Sequence, residues 1–176
     1  IIPFERKDPA EAIGELTKGT AVDRAIDAVG VDAVHAHHGP AAKSARKQHR
    51  RFEQELSEIA PKTNPQGKNW HPGDAPNQAL IWAVEALAKS GTLAVIGVYP
   101  DSDRFFPIGS AMNKNIRLYM GNCNHRAYIP RLIQLVQSGA VDPAKILTQQ
   151  KEIADAVEAY ECFAGREQSW TKLALA

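Results

Sequence analysis

Cysteine is scarce in this 176-residue sequence, which holds only Cys123 and Cys162. Two thiols are too few for a disulfide scaffold and too scattered for a thiolate metal cage. No apolar run approaches the ~20 residues needed to span a bilayer, and no secretory signal pattern precedes the first element. Neither sign of charge dominates, since 21 basic residues stand against 20 acidic ones. A nucleic-acid surface normally shows as a strong basic excess, so that class is excluded along with membrane proteins. With 44% hydrophobic and 23% charged residues, the chain is neither collagen-like, coiled-coil nor disordered. The expectation is a soluble, cytoplasmic globular protein of one domain or one large piece of a domain.

An initiating Met is also lacking. The chain opens Ile1-Ile2-Pro3-Phe4, an apolar start that reads like a strand entered partway. A numbering that begins inside a longer polypeptide explains this, and so does a cleavage event.

What is present alternates helix and strand. Asp8 is placed to cap a helix with Pro9 at its first position and Glu11 three residues on, a capping box. Ile13 and Leu16 supply its apolar stripe and Gly19 its stop. Val22–Gly30 alternates apolar with polar residues, as a half-buried strand does. Residues 31–75 break the rhythm and read as an insertion. Within it, Ala41 to Ala60 forms a charged helix with Phe52, Leu56 and Ile59 as a thin stripe. Pro61 ends that helix, and a Pro/Gly/Asn-rich stretch follows. Asp74-Ala75-Pro76 reads as a second cap, opening a helix over 76–89 with Leu80, Val84 and Leu87 on one face. Thr92 to Val98 is continuously apolar, as in a parallel strand covered on both faces. Asn115 to Met120 is a further strand, and Asn124 caps a helix carrying Ile129, Leu132, Ile133 and Val136. A helix around Ile153, Val157 and Tyr160 and a strand near Lys172–Leu175 complete the pattern.

Such alternation implies an α/β protein with a mainly parallel sheet, whose ligands bind beyond the carboxyl ends of the strands. Glycines stand at those ends: Gly30, Gly97 and Gly121. They admit a ligand close to the backbone, or they end strands for steric reasons alone. Both readings stay open on this evidence.

The runs VDRAIDAVG (22–30), AVEALAKSGTLAVIGVYP (83–100) and IPRLIQLVQSGAVDP (129–143) resemble medium-chain, zinc-containing alcohol dehydrogenases. The insertion sequence NPQGKNWHPGDAP (64–76) is similar to the branch holding glutathione-independent formaldehyde dehydrogenase. The resemblance implies the carboxyl-terminal half of a Rossmann-type doubly wound parallel sheet with flanking helices. Residues 1–143 would be a partial dinucleotide-binding domain, and 144–176 a segment returning to the catalytic domain. Family members open the Rossmann domain with a Gly-x-Gly-x-x-Gly fingerprint, and this sequence carries neither that motif nor a catalytic Cys/His cluster. The chain then corresponds to a carboxyl-terminal fragment, inactive alone, whose parent oxidises small alcohols or reduces aldehydes with NAD or NADP and zinc. The alternative is a non-catalytic Rossmann-like binding or subunit-contact module.

The resemblance implies cofactor contacts at the ends of three strands: Val29; Ile96, Gly97 and Val98; and Met120, Gly121 and Asn122. It implies no catalytic residue and no metal ligand in this chain, and a homo-oligomer joined through the edge strand near 115–120. In the family an Arg of the loop after the first of these strands reaches the cofactor, where this chain has Val34. His35-Ala36-His37-His38 is the sharpest local signal. A structural zinc site needs four converging ligands, and no Cys or His pair is spaced to complete one, so these read as solvated loop histidines. The basic run Lys43–Arg51 is followed at once by Glu53, Glu55 and Glu58, with Arg51 and Glu55 at pairing distance along a helix. It reads as a solvated helix. Cys123 reads as a buried or partly buried structural thiol.

Overall fold

A computed structural model describes residues 1–59, 71–165 and 167–176. The chain forms two compact units that part after Gly121. The Pro/Gly/Asn-rich stretch expected to be irregular falls largely outside the described residues.

The first unit opens with helix α1 (Pro9–Leu16). Asp8 Oδ1 accepts the Glu11 amide at 3.1 Å, so the expected cap forms and satisfies one of the orphan donors of the first turn. The expected stripe is covered only in part, with Ile13 half-buried. Leu16 is exposed and Ala12 is the buried residue, because α1 packs on a second helix, α4, introduced below, where a small side chain allows close approach.

Strand β1 (Val22–Asp27) runs into a short turn, and the charged segment follows as two helices, α2 (Ala42–Lys47) and α3 (His49–Ile59). One continuous helix is expected, but Gln48 breaks it at φ −100° and ψ 3°. Phe52 and Ile59 are buried as the stripe predicts, and Phe52 forms a small core with Ala45 and Ala75.

Helix α4 (Gln78–Ala86) leads into β2 (Leu87–Val95). The second expected cap is not made, for Asn77 is the residue before α4 and Asp74 is engaged elsewhere. The helix also ends earlier than Ser90-Gly91, since Leu87 turns extended (φ −70°, ψ 138°) and is enclosed in the core. Lys114 holds that end: its Nζ donates to the carbonyls of Val84, Glu85 and Leu87 at 3.0, 2.6 and 2.7 Å. An ammonium at the carboxyl end of a helix satisfies orphan carbonyls and opposes the helix dipole.

Helix α5 (Ile108–Asn113) and strand β3 (Arg117–Met120) complete the unit. The sheet order is β1-β2-β3, all parallel, as the alternation predicts. Leu80 and Val84 of α4, Leu93 and Val95 of β2, and Ala111 of α5 close one core over one sheet face. Each large side chain so enclosed contributes roughly 1.5–3 kcal/mol. Beyond Val95 the apolar run is no longer covered, and Ile96 and Val98 are exposed.

The second unit holds α6 (His125–Gln137), the strand pair β4 (Gln149–Lys151) and β5 (Leu173–Leu175), and α7 (Ala156–Ala164) between them. Asn124 caps α6 as expected, accepting the Ala127 amide at 3.2 Å. Strands β4 and β5 are parallel. The polar sequence of β4 gives no strand signal, and Thr148 instead anchors the pair, its Oγ1 accepting the Thr171 and Lys172 amides. Among the described residues no helix is long and apolar enough to cross a membrane.

Candidate functional site

The three parallel strands of the first unit end in register, with Asp27 opposite Val95 and Val95 opposite Met120. Five of the seven expected cofactor contacts, Val29, Ile96, Val98, Met120 and Gly121, are exposed along this rim or just past it. Gly97 is half-buried among them. Asn122 opens the second unit and is exposed.

Asp27 organises the rim. Its carboxylate is buried, with Oδ1 accepting the Val29 and Gly30 amides at 2.9 and 3.1 Å. Oδ2 accepts the Tyr99 hydroxyl at 2.5 Å. Burial first, and that bond second, push the Tyr99 phenol well above its ordinary range, so it stays a donor. The Asp27 carbonyl takes both the Ile96 and the Gly97 amides at 2.8 and 2.9 Å. The amides of Val29, Gly30, Ile96 and Gly97 are therefore already committed, so at these positions the rim offers a nicotinamide carboxamide carbonyl oxygens for its NH₂ group.

The glycines at the strand ends have a steric cause. A Cβ on Gly97 would lie 2.3 Å from the Gly30 nitrogen, and one on Gly30 would lie 2.4 Å from the Val98 nitrogen. Gly30 also adopts φ +66°, a left-handed conformation. Backbone meets backbone here, so both glycines are explained without a ligand. At Gly121, φ is +131° and a Cβ would meet nothing within 4 Å.

The histidine loop is not simply solvated. His35 is only about 21% exposed at its side chain and stacks on Phe52, with ring centroids 5.2 Å apart and planes at 13°. Its amide donates to Asp74 Oδ1 at 3.0 Å, across 39 residues. The Gly73 amide bonds the Val31 carbonyl and the Ala75 amide bonds that of Ala33, at 2.8 and 3.1 Å. This ladder draws residues 73–75 onto 31–35. Only glycine fits at 73, because a Cβ there would lie 2.0 Å from the Ala33 oxygen. The ladder sets Asp74 beside two imidazoles, its Oδ2 lying 2.9 Å from His37 Nε2 and 3.6 Å from His35 Nε2. Asp74 is the residue that sequence reasoning assigns to a helix cap; no local signal marks its long-range role.

The basic helix also departs from expectation. Arg51 Nε and Glu55 Oε1 lie 3.0 Å apart, the expected spacing for an ion pair, but without the alignment of a hydrogen bond. Glu55 is fully buried rather than solvated. Burial pushes its carboxyl above the usual range, while Arg51 and the Asn77 amide, 3.3 Å from Oε2, oppose that shift. Cys123 is exposed rather than buried, since its loop leaves the thiol in solvent, whereas Cys162 is half-buried.

No protein-family model matches the chain. Among curated proteins it is 27% identical over 176 residues to the uncharacterized zinc-type alcohol dehydrogenase-like protein AdhB of Bacillus subtilis, covering 99% of this chain and 40% of that protein. It is 26% identical to an alcohol dehydrogenase of Cupriavidus necator, covering 99% of this chain and 36% of that one. The chain thus spans two fifths or less of the length of these relatives. Among solved structures, the alcohol dehydrogenase TADH of Thermus sp. ATN1 superposes with a TM-score of 0.62 at 20% identity. It is matched over 99% of this chain and 38% of its own. The 2R,3R-butanediol dehydrogenase of Bacillus subtilis gives 0.59 at 15% identity, over 99% and 37%. Along its whole length the chain is therefore similar in sequence to zinc-type alcohol dehydrogenases, and its fold is part of their Rossmann-type α/β architecture.

Proposed function

We propose that this chain is the carboxyl-terminal part of a zinc- and NAD(P)-dependent alcohol or aldehyde oxidoreductase and supplies the nicotinamide side of its cofactor site. One observation carries the reading: three parallel strands end in register at a rim of exposed backbone, in a chain similar over 99% of its length to a zinc-type alcohol dehydrogenase-like protein. The NPQGKNWHPGDAP sequence (64–76) supports the formaldehyde dehydrogenase-like branch. On this reading residues 1–143 belong to the dinucleotide-binding domain, 31–75 are an insertion in it, and 144–176 return to the catalytic domain.

A bound nicotinamide would supply the hydride acceptor, and zinc held elsewhere in the parent protein would polarise the alcohol oxygen. The residues here do the positioning. Carbonyls at 29, 96 and 97 receive the carboxamide NH₂ and fix which ring face meets substrate. The exposed side chains of Val29, Ile96 and Val98 cover the ring edge and keep water from it. Asp27 keeps the strand ends rigid by holding four amides and one hydroxyl. The outer edge of β3, last in the sheet, is the contact for a second copy of the chain, since pairing removes an open strand edge. Sedimentation equilibrium showing only monomer would remove that part.

Calorimetric titration of the 176-residue chain with NAD tests the core of the proposal. A few carbonyl hydrogen bonds at about 0.5–1.5 kcal/mol each stand against roughly 4 kcal/mol or more for immobilising the cofactor. The expected dissociation constant is millimolar or weaker. A micromolar constant would mean that the fragment holds a complete site, contrary to the proposal.

A further inference from the structure

The cluster formed by His35, His37 and Asp74 plays no part in the proposed cofactor rim, and its three side chains offer ligand atoms that all lie within 4.8 Å of one another. We propose that it is a binding site for a divalent transition ion of the zinc type, with two imidazole nitrogens, one carboxylate oxygen and a fourth position open to water or a small ligand. The inference is independent of the oxidoreductase reading. That reading assigns no zinc ligand to this chain, so this ion would be an additional one.

Three features support the site. The His35 and His37 rings lie side by side, with centroids 4.3 Å apart, and Gly73 lets Asp74 approach them closely. Donor atoms at 2.0–2.1 Å from a tetrahedral ion stand about 3.4 Å apart. The observed 2.9 and 3.6 Å from Asp74 Oδ2 to the two Nε2 atoms bracket that spacing. The widest pair has only to close by a little over 1 Å, which the half-exposed ring of His37 permits.

The second feature is orientation. His35 Nδ1 lies 3.0 Å from the Ala36 carbonyl. A proton on Nδ1 makes that bond and leaves Nε2, the atom facing Asp74, as a lone-pair donor. Ligand histidines are commonly fixed in this way, with the other ring nitrogen bonded to a backbone carbonyl. Phe52 stacks on the same ring, and Asp74 is held through its second oxygen by the His35 amide. The third feature is the donor set. Two imidazoles and a carboxylate suit Zn²⁺, Co²⁺, Ni²⁺ and Cu²⁺ and do not suit Mg²⁺ or Ca²⁺, which want oxygen throughout.

The test titrates the 176-residue chain with Co²⁺ alone, reading the visible d–d bands of a low-coordinate cobalt ion, then displaces it with Zn²⁺; Mg²⁺ serves as control. The expected result is one equivalent of Co²⁺, displaced by Zn²⁺ and not by Mg²⁺. His37→Asn and Asp74→Asn should each weaken binding at least about 10-fold, on the scale of losing even a supporting group. His38→Asn should leave it unchanged. Asp74→Asn also disturbs the bond to the His35 amide, so His37→Asn, with its far-ultraviolet circular dichroism unaltered, is the deciding variant. Failure of the wild-type chain to bind Zn²⁺ at micromolar concentration would overturn the proposal. So would binding that survives His37→Asn, since the ion would then sit elsewhere.

Discussion

Leu93 in the first unit and Leu132 in the second both come from clearly apolar stretches, yet Leu93 is fully buried and Leu132 is 50% exposed. The contrast runs through both units. In the first, α4 and α5 lie on the sheet and close a core. In the second, Ile129, Leu132, Ile133 and Val136 line α6 in the expected helical rhythm, and α6 buries none of its residues. Helix α7 repeats this, with Val157 and Tyr160 exposed and only Ala159 enclosed. Periodicity and caps are enough to specify a helix, but burial needs a partner surface, and the stripe alone does not say where that partner is. On the proposed reading, the uncovered stripes of the second unit meet the rest of a longer enzyme.

The two units should respond differently to the same kinds of substitution. The largest difference is expected at glycine. Gly97→Ala drives a Cβ into the Gly30 backbone and should cost about 4 kcal/mol or more, the range of severe steric conflict. Gly139→Ala, at φ +72° with nothing within 4 Å, should cost only roughly 1–2 kcal/mol of left-handed strain. Urea unfolding of the two variants reads the difference. Equal losses would mean that the strand ends of the first unit are less tightly joined than described.

Next comes the leucine pair itself. Leu93→Ala should destabilise by about 2–5 kcal/mol through lost burial and a residual cavity, while Leu132→Ala should cost under about 1 kcal/mol. A large loss at Leu132 would show that the stripe on α6 is covered in solution, by a second copy or by another part of the chain.

Much of the local structure was legible in the sequence, though the contrast in burial between the units was not. The caps at Asp8 and Asn124 and the three parallel strands follow from local signals, since each depends on residues close along the chain. What escaped depends on distant partners. Asp74 next to a proline looks like a cap, and its bond to His35 spans 39 residues. Glu55 lies in a charge run that reads as solvated, yet it is enclosed beneath Asn77, 22 residues away. The stripe rule chose Leu16, Val157 and Tyr160, whereas α1 and α7 bury Ala12 and Ala159. The cofactor rim was legible as a set of strand ends. That Gly30 and Gly97 serve each other sterically was not, because their contact arises only when the strands pair.

A smaller effect is expected from Glu55. Its carboxyl is raised by burial, so the folded state holds that proton more tightly than the unfolded chain does. The resulting stability is present below the ordinary glutamate range and is lost as pH rises through the raised value. Glu55→Gln should therefore gain on the wild type as pH increases from acid to neutral, by less than either substitution above. Melting temperatures of both proteins across that range give the comparison. A wild type that gains on the variant with rising pH would mean that Arg51 outweighs burial.

The claim that this chain carries the nicotinamide side of a cofactor site is tested most directly by amide NMR shifts of the 176-residue chain, titrated with NAD into the millimolar range. The account predicts saturable shifts concentrated at 28–31, 96–99 and 120–122, with the weak affinity of a half-site. Shifts confined to other residues, or none at the strand ends at any concentration, would contradict it.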